Sequence, residues 1–246
     1  MRDDGGVTPD EARAALADST AVLLRNIRVL SDDEVRNPSL LPGWSRGHVL
    51  AHLAQNAEGG TRLLSWAHTG EPSYEYPSLA ERARNIEGES CLPAADLIAH
   101  VDQSAAQFSE AAERVPSGRW QATVRYTGGK EHPATVIVPS RLAEVLFHHV
   151  DLDLNFTPED WPGWFVRERL TQTSASLTAR GGISTPVRLM ASDTGFTVAL
   201  GTIDGATGVV VSGSECRLLA WLYGRSDGAD LRLDAPGRLP ELPPIY

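Results

Sequence analysis

An α+β fold, with a helical N-terminal part and a smaller α/β C-terminal part, follows from three features of the sequence. Apolar residues recur at helical spacing through most of residues 9–180, the pair Gly181-Gly182 interrupts them, and beyond it the period changes to the alternation of strands. That change sets the domain boundary between 181 and 182, giving parts 1–181 and 182–246.

The first helix covers about residues 9–30, with Thr8 as cap and Pro9 at the first helical position, where a missing N–H costs nothing. A second follows Pro42-Gly43-Trp44, is capped by Ser45 and runs to about His68. A weaker segment spans about 77–86, and a fourth helix begins at Pro93 and ends before Pro116. Residues 120–138 read as two short extended runs around Gly128-Gly129, a hairpin leading to a helix capped by Ser140 that carries Glu144 and His148. Another helix, about 163–180, stops at the double glycine. In the C-terminal part PVRLMASD, GFTVALG and GVVVSGS read as strands, SECRLLAWLYG as a helix, DLRLDAPG as a last strand and LPELPPIY as an irregular tail. Ser212 and Glu215 have capping-box spacing, which starts that helix near Gly213, and Gly224 ends it.

Composition narrows the function. With 246 residues, 41% of them hydrophobic and 22% charged, the chain can fill a core of one large or two small domains. A formal charge of −10 excludes the basic surface that nucleic acids require and any attraction to anionic lipid, so an anionic substrate would need local arginines. The N-terminus starts acidic, has no apolar run before a small-residue cleavage site, and no stretch reaches the length of a bilayer span, which implies a cytoplasmic protein. Cys91 and Cys216 lie far apart outside any CxxC pattern and read as two reduced cysteines in or near the core.

The chemistry concentrates in a few histidines and carboxylates. Glu144 and His148 are one helical turn apart, on one face, within PSRLAEVLFHHVDLDL. A carboxylate among Leu142, Val145, Leu146, Phe147 and Val150 costs several kcal/mol unless it is paired or binds an ion. Asp151, three residues past His148, can accept that ring's other N–H and fix its tautomer. His149 points about 100° away and reads as structural. The second helix offers His48 and His52, again four apart, with Asn56 a turn further; spacing alone does not choose between them, although His48 suits a cap and His52 lies deeper in the apolar run. Two histidines and one carboxylate with an open position suit catalytic zinc, and equally non-haem iron. A buried Glu–His ion pair without metal is the alternative.

Three segments, LPGWSRGHVLAHLAQNAEGGTRLL, SRLAEVLFHHVDLDL and VVVSGSECRLLAWLYGRSDG, in this order, resemble the mycothiol-dependent maleylpyruvate isomerase family over nearly the whole chain. The resemblance implies an N-terminal DinB-like four-helix bundle with zinc held by His52, Glu144 and His148, and a smaller α/β domain after it. It also implies mycothiol as thiol cosubstrate and cis-trans isomerisation of maleylpyruvate, in aromatic catabolism, by thiolate addition, bond rotation and elimination. The family's Gly-Arg element falls on Gly224-Arg225, making Arg225 the catalytic arginine, although Ser226 stands where relatives often have a second glycine. Asn56 and Arg46 are assigned to cofactor binding, Arg84 and Arg141 are weaker substrate candidates, and Trp44 and Trp66 read as packing residues. A monomer acting on small molecules is expected. A mycothiol S-transferase and a non-catalytic DinB-like binding protein are the competing readings.

Overall fold

Capping residues set the start of most elements in the computed structural model, which describes residues 8–183, 185–202 and 208–243. The readings made for residues 1–7 and for the tail's last residues, 244–246, lie outside these. Helix α1 (Pro9–Ile27) opens on Thr8, whose side chain accepts from Glu11 N while Glu11 bonds back to the Thr8 backbone. The same reciprocal cap, Ser31 with Glu34, starts α2 (Asp32–Arg36), a five-residue helix the apolar pattern does not predict. Ser45 caps α3 (Arg46–Thr69), which closes on Gly70 at φ +86°. Helix α4 (Leu79–Glu89) starts from Ser78, and α5 (Ala94–Arg114) from Pro93.

Strands β1 (Thr123–Arg125) and β2 (Glu131–Pro133) pair antiparallel as the hairpin. The second extended run stops at Pro133, because Ala134–Val136 turn as a 3-10 helix and α6 (Ile137–Asp151) begins directly. Pro139 sits in the first turn of α6, where an N–H has no intrahelical partner, so Ser140 lies inside the helix and does not cap it.

One compact unit, Met1–Asn155, is built on a bundle of four of these helices. Helix α3 packs on α5 and α6, and α1 packs on α6 and α5. Leu23, Ile27, Leu53, Leu64, Phe108 and Leu142 are among its fully buried side chains, each contributing about 1.5–3 kcal/mol. Gly60 permits the close approach of α3 to α5, since a Cβ there would lie 2.5 Å from Phe108 Cε2. Buried His149 accepts at Nε2 from Asn26 Nδ2 at 3.0 Å, which ties α6 to α1.

The second unit, Phe156–Tyr246, contains a 3-10 turn (Pro158–Asp160), α7 (Gly163–Arg180), β3 (Val187–Ala191), β4 (Thr197–Leu200), β5 (Val209–Gly213), α8 (Glu215–Leu222) and β6 (Arg232–Leu233). The strand order is β4-β3-β5-β6, parallel at β3/β5 and antiparallel elsewhere. Helix α7 packs on α8 and β4 and buries Phe165, Leu170 and Leu177. The compact units therefore divide between Asn155 and Phe156, not at the 181/182 change of period, because helical periodicity does not tell which core a helix fills. Ser212 belongs to β5 and Ser214 is the cap of α8, so the predicted Ser212–Glu215 box does not form. Glu215 is instead buried against Arg167, whose Nε donates at 3.2 Å, and the Thr194 hydroxyl. Cys91 is exposed rather than near a core, and Cys216 is half-buried; both are free thiols.

Among the described residues no helix is long and apolar enough to cross a membrane. Gly60→Ala is expected to destabilise the bundle by about 1–3 kcal/mol through overpacking against Phe108. Chemical denaturation reads this as a lower midpoint with an unchanged slope, and an unmoved midpoint would show that α3 and α5 separate without cost.

Candidate metal centre

Helices α3 and α6 bring three side chains to one point. His52 Nε2 lies 2.8 Å from Glu144 Oε2 and 2.9 Å from His148 Nε2, and His148 Nε2 lies 3.3 Å from the same carboxylate oxygen. One donor atom from each residue thus falls within 4.8 Å of the others. Tetrahedral ligands of zinc at about 2.0–2.2 Å would stand roughly 3.3 Å apart, so only small shifts separate this triangle from a coordination set. Nitrogen, nitrogen and carboxylate oxygen are donors that zinc or ferrous iron accepts. The Glu144 side chain, 29% exposed against 5% for His52, is the member nearest solvent.

His48 stays out of this group. Its Nδ1 takes part in the Ser45 cap, accepting from Ser45 N at 3.2 Å, and its Nε2 faces Glu87 Oε2 at 3.2 Å. Trp44 stacks on His48 and meets His52 edge-on, with ring centroids 6.0 and 5.7 Å away. Buried Asp151 puts Oδ2 2.8 Å from His148 Nδ1. A carboxylate only accepts, so that contact keeps a proton on Nδ1 and leaves Nε2, which faces Glu144, as the nitrogen a metal would take.

Burial and the neighbouring charge of His148 push His52 down to about 4, so it is a neutral imidazole. Burial also opposes ionisation of Glu144, but hydrogen bonds from His148 and His52 outweigh it and hold the carboxyl well below its usual range. Burial works against charging His148 as well; there the Asp151 and Glu144 contacts win and the pKa rises.

The other predicted residues divide by what they bond. Asn56 Oδ1 accepts from Arg141 Nη1 at 2.8 Å, and the same nitrogen donates to Leu53 O. Burial lowers Arg141 to about 10, which leaves it charged at neutral pH. Arg46 donates from Nε to Leu152 O and from Nη2 to Asp153 O, both at 2.7 Å, so its guanidinium closes the C-terminal end of α6. Arg84 is exposed, and Trp66 packs edge-on to Tyr74. Arg225 lies in the second unit, just past α8, where its N–H bonds Ala220 O and Nη1 donates to Tyr223 O at 2.8 Å.

Three residues around the triad escape a sequence reading. Arg82 on α4 approaches His52 Nδ1 with Nη2 at 2.7 Å. Tyr76 and Tyr126 both feel the Glu144 charge, and burial pushes each phenol up to about 12, leaving neutral O–H groups at physiological pH. No local pattern marks them, because the contacts join segments separated by tens of residues.

A proton and a metal compete for His148 Nε2, and the raised pKa starts that competition above the ordinary histidine range of about 6.5. Zinc affinity, measured by competition with a chelating indicator, is expected to fall on acidification through this raised pKa. Asp151→Asn should move the decline to lower pH and weaken zinc about 10–100-fold at neutral pH. An unshifted decline would remove Asp151 from the centre.

Comparison with known proteins supplies the context. A sequence profile for the mycothiol maleylpyruvate isomerase N-terminal domain matches residues 16–153. A crystal structure of the mycothiol-dependent maleylpyruvate isomerase superposes with a TM-score of 0.89 at 27% identity, covering 99% of this chain and 100% of that one. That of the H52A mutant of the mycothiol-dependent maleylpyruvate isomerase gives 0.89 at 26% identity, with the same coverage. No curated protein sequence matches the chain. The profile spans more than half of the chain and includes all three residues of the triad, so this protein belongs to the mycothiol maleylpyruvate isomerase family, a family of enzymes.

Proposed function

We propose that this protein is a zinc- and mycothiol-dependent maleylpyruvate isomerase, acting as a cytoplasmic monomer. The observation that carries the reading is the convergence of His52, Glu144 and His148 within the fold of that family. Bound zinc with an open position lowers the pKa of a thiol, so that the thiolate becomes accessible near neutral pH.

The protein's own residues hold and orient. Asp151 fixes the His148 tautomer, Glu144 supplies the anionic ligand, and neutral His52 supplies the second nitrogen. The Arg141–Asn56 bond keeps Asn56 in place one turn beyond His52 for the cosubstrate. The substrate is an activated cis alkene with two carboxylates. Sulfur bonds to one alkene carbon and the π pair moves onto the conjugated carbonyl oxygen as an enolate. The remaining single bond rotates, then the enolate restores the double bond and expels the thiolate, leaving the trans isomer. Atoms and charge return to their starting count, so no redox partner is needed. Arg225, by its Gly224-Arg225 element, is assigned to hold a carboxylate or steady the enolate.

The test is conversion of maleylpyruvate to fumarylpyruvate by the zinc-loaded protein with and without mycothiol. Thiol-dependent turnover is expected, and His52→Ala should lower it by about 100-fold or more while the far-ultraviolet spectrum stays that of the wild type. Stable thiol adducts without isomerised product would select the S-transferase instead. Absence of stoichiometric metal binding would reduce the protein to a DinB-like binding module.

A further inference from the structure

Small side chains on two facing helices, Ala17 and Ala21 on α1 and Ala105 on α5, leave a cleft of about 260 Å³ in the first unit, walled by Leu16, Leu24 and Phe108. Pockets for drug-sized ligands run to roughly 300–1,000 Å³, so this one suits a smaller molecule. None of His52, Glu144 and His148 lines it, which makes it a place apart from the metal centre.

The cleft ends on a charge. Arg141, from α6 and only 3% exposed, forms part of its lining. Its Nη1 donates to Leu53 O and to Asn56 Oδ1, both at 2.8 Å, and the edge of the guanidinium formed by Nε and Nη2 has no acceptor among the described residues. Arg141 stays charged at neutral pH, and Glu144 supports that charge without forming an ion pair. A buried charge with no close counterion is costly. Water can satisfy its N–H groups but gains nothing from the apolar walls beside them. At the rim, Asp102 faces Arg28 at 3.8 Å and Arg13 is paired with Asp10, so these charges already have partners.

We propose that this cleft is a binding site for a small apolar monocarboxylate, seated with its two oxygens on the Nε and Nη2 edge of Arg141 and its hydrocarbon between Leu16, Leu24 and Phe108. Two parallel donors in one plane match the two oxygens of a carboxylate. A dicarboxylate would bury its second charge among apolar side chains, and an amine would meet the guanidinium with like charge, so both are disfavoured. The site is independent of the metal-dependent reading above.

Calorimetry on the full chain tests it with octanoate and with octan-1-ol, which has the same hydrocarbon and no charge, once with zinc added and once with metal stripped by a chelator. Saturable one-to-one binding of octanoate is expected in both metal states, with octanol at least about tenfold weaker. Arg141→Met should abolish that preference for the acid and Arg141→Lys restore part of it, whereas a merely structural arginine would lower both affinities together. Ala105→Phe, which fills the cleft and keeps Arg141, should weaken octanoate at least about tenfold, and it decides the matter even where the Arg141 variants fail to fold. Octanoate that shows no saturable binding, binds no better than octanol, or is unaffected by Ala105→Phe overturns the assignment. Binding seen only with zinc present overturns it as well, since the acid would then sit on the metal.

Discussion

The first unit depends on holding one carboxylate between two imidazoles where α3 packs against α6. A buried carboxylate costs several kcal/mol unless its partners are in place, and those partners sit on different helices, so the register of α3 against α6 has to be fixed. A slip of one residue along α6 would turn Glu144 by about 100° away from His52. Several contacts prevent it. Arg46 binds the carbonyls of Leu152 and Asp153 at the end of α6, Leu40 N bonds Asp151 O, and Asn26 holds His149 on the opposite side. Arg141 reaches back to Leu53 O, one residue after His52. Much of the polar chemistry near the triad therefore positions α6 rather than reacting.

Local signals carried the fold well and long-range ones poorly. Thr8, Ser45, the Pro93 start and the hairpin around Gly128-Gly129 are each written within a few residues, and the helices and turn they announce are there. The i, i+4 spacing likewise put Glu144 and His148 on one face. Spacing left His48 and His52 open and the family resemblance named His52; the physical reason is tertiary, since the cap at Ser45 occupies His48 while His52 meets Glu144 and His148. The same limit applies to Ser140, read as a cap but lying inside α6, and to α7, whose helical period concealed that its apolar face packs on α8 and β4 of the second unit. Arg82 was invisible for a related reason. It lies on a short, strongly polar helix, where an arginine looks solvated, and its partner is 30 residues earlier.

The second unit shows the same economy with different groups. Glu215 begins α8, where the helix dipole favours a carboxylate. Its burial is compensated by Arg167 from α7 and the Thr194 hydroxyl, while Asp193 accepts from its backbone N–H. The predicted capping role of Glu215 is thus replaced by a cross-link between α7, the β3–β4 turn and α8. Sequence spacing suggested a local bond, and the fold used the same carboxylate for a distant one.

The geometry of the triad itself weighs against a purely structural ion pair. One imidazole satisfies a carboxylate oxygen, and a second histidine in an ion-paired core would be expected to find its own acceptor. Here both Nε2 atoms point at the same Glu144 oxygen and lie 2.9 Å from each other, close enough that only one of the two can carry its proton toward the other. Asp151 holds a proton on His148 Nδ1 and leaves Nε2 as the nitrogen a metal would take, so half of a ligand set is already prepared by the fold. With both Nε2 atoms deprotonated, two nitrogen lone pairs and an anionic oxygen would converge on one point and repel each other unless something positive lay between them. A proton serves that purpose for one pair of atoms at a time. A divalent cation serves it for all three at once, which is why this arrangement favours a metal centre over a buried salt bridge.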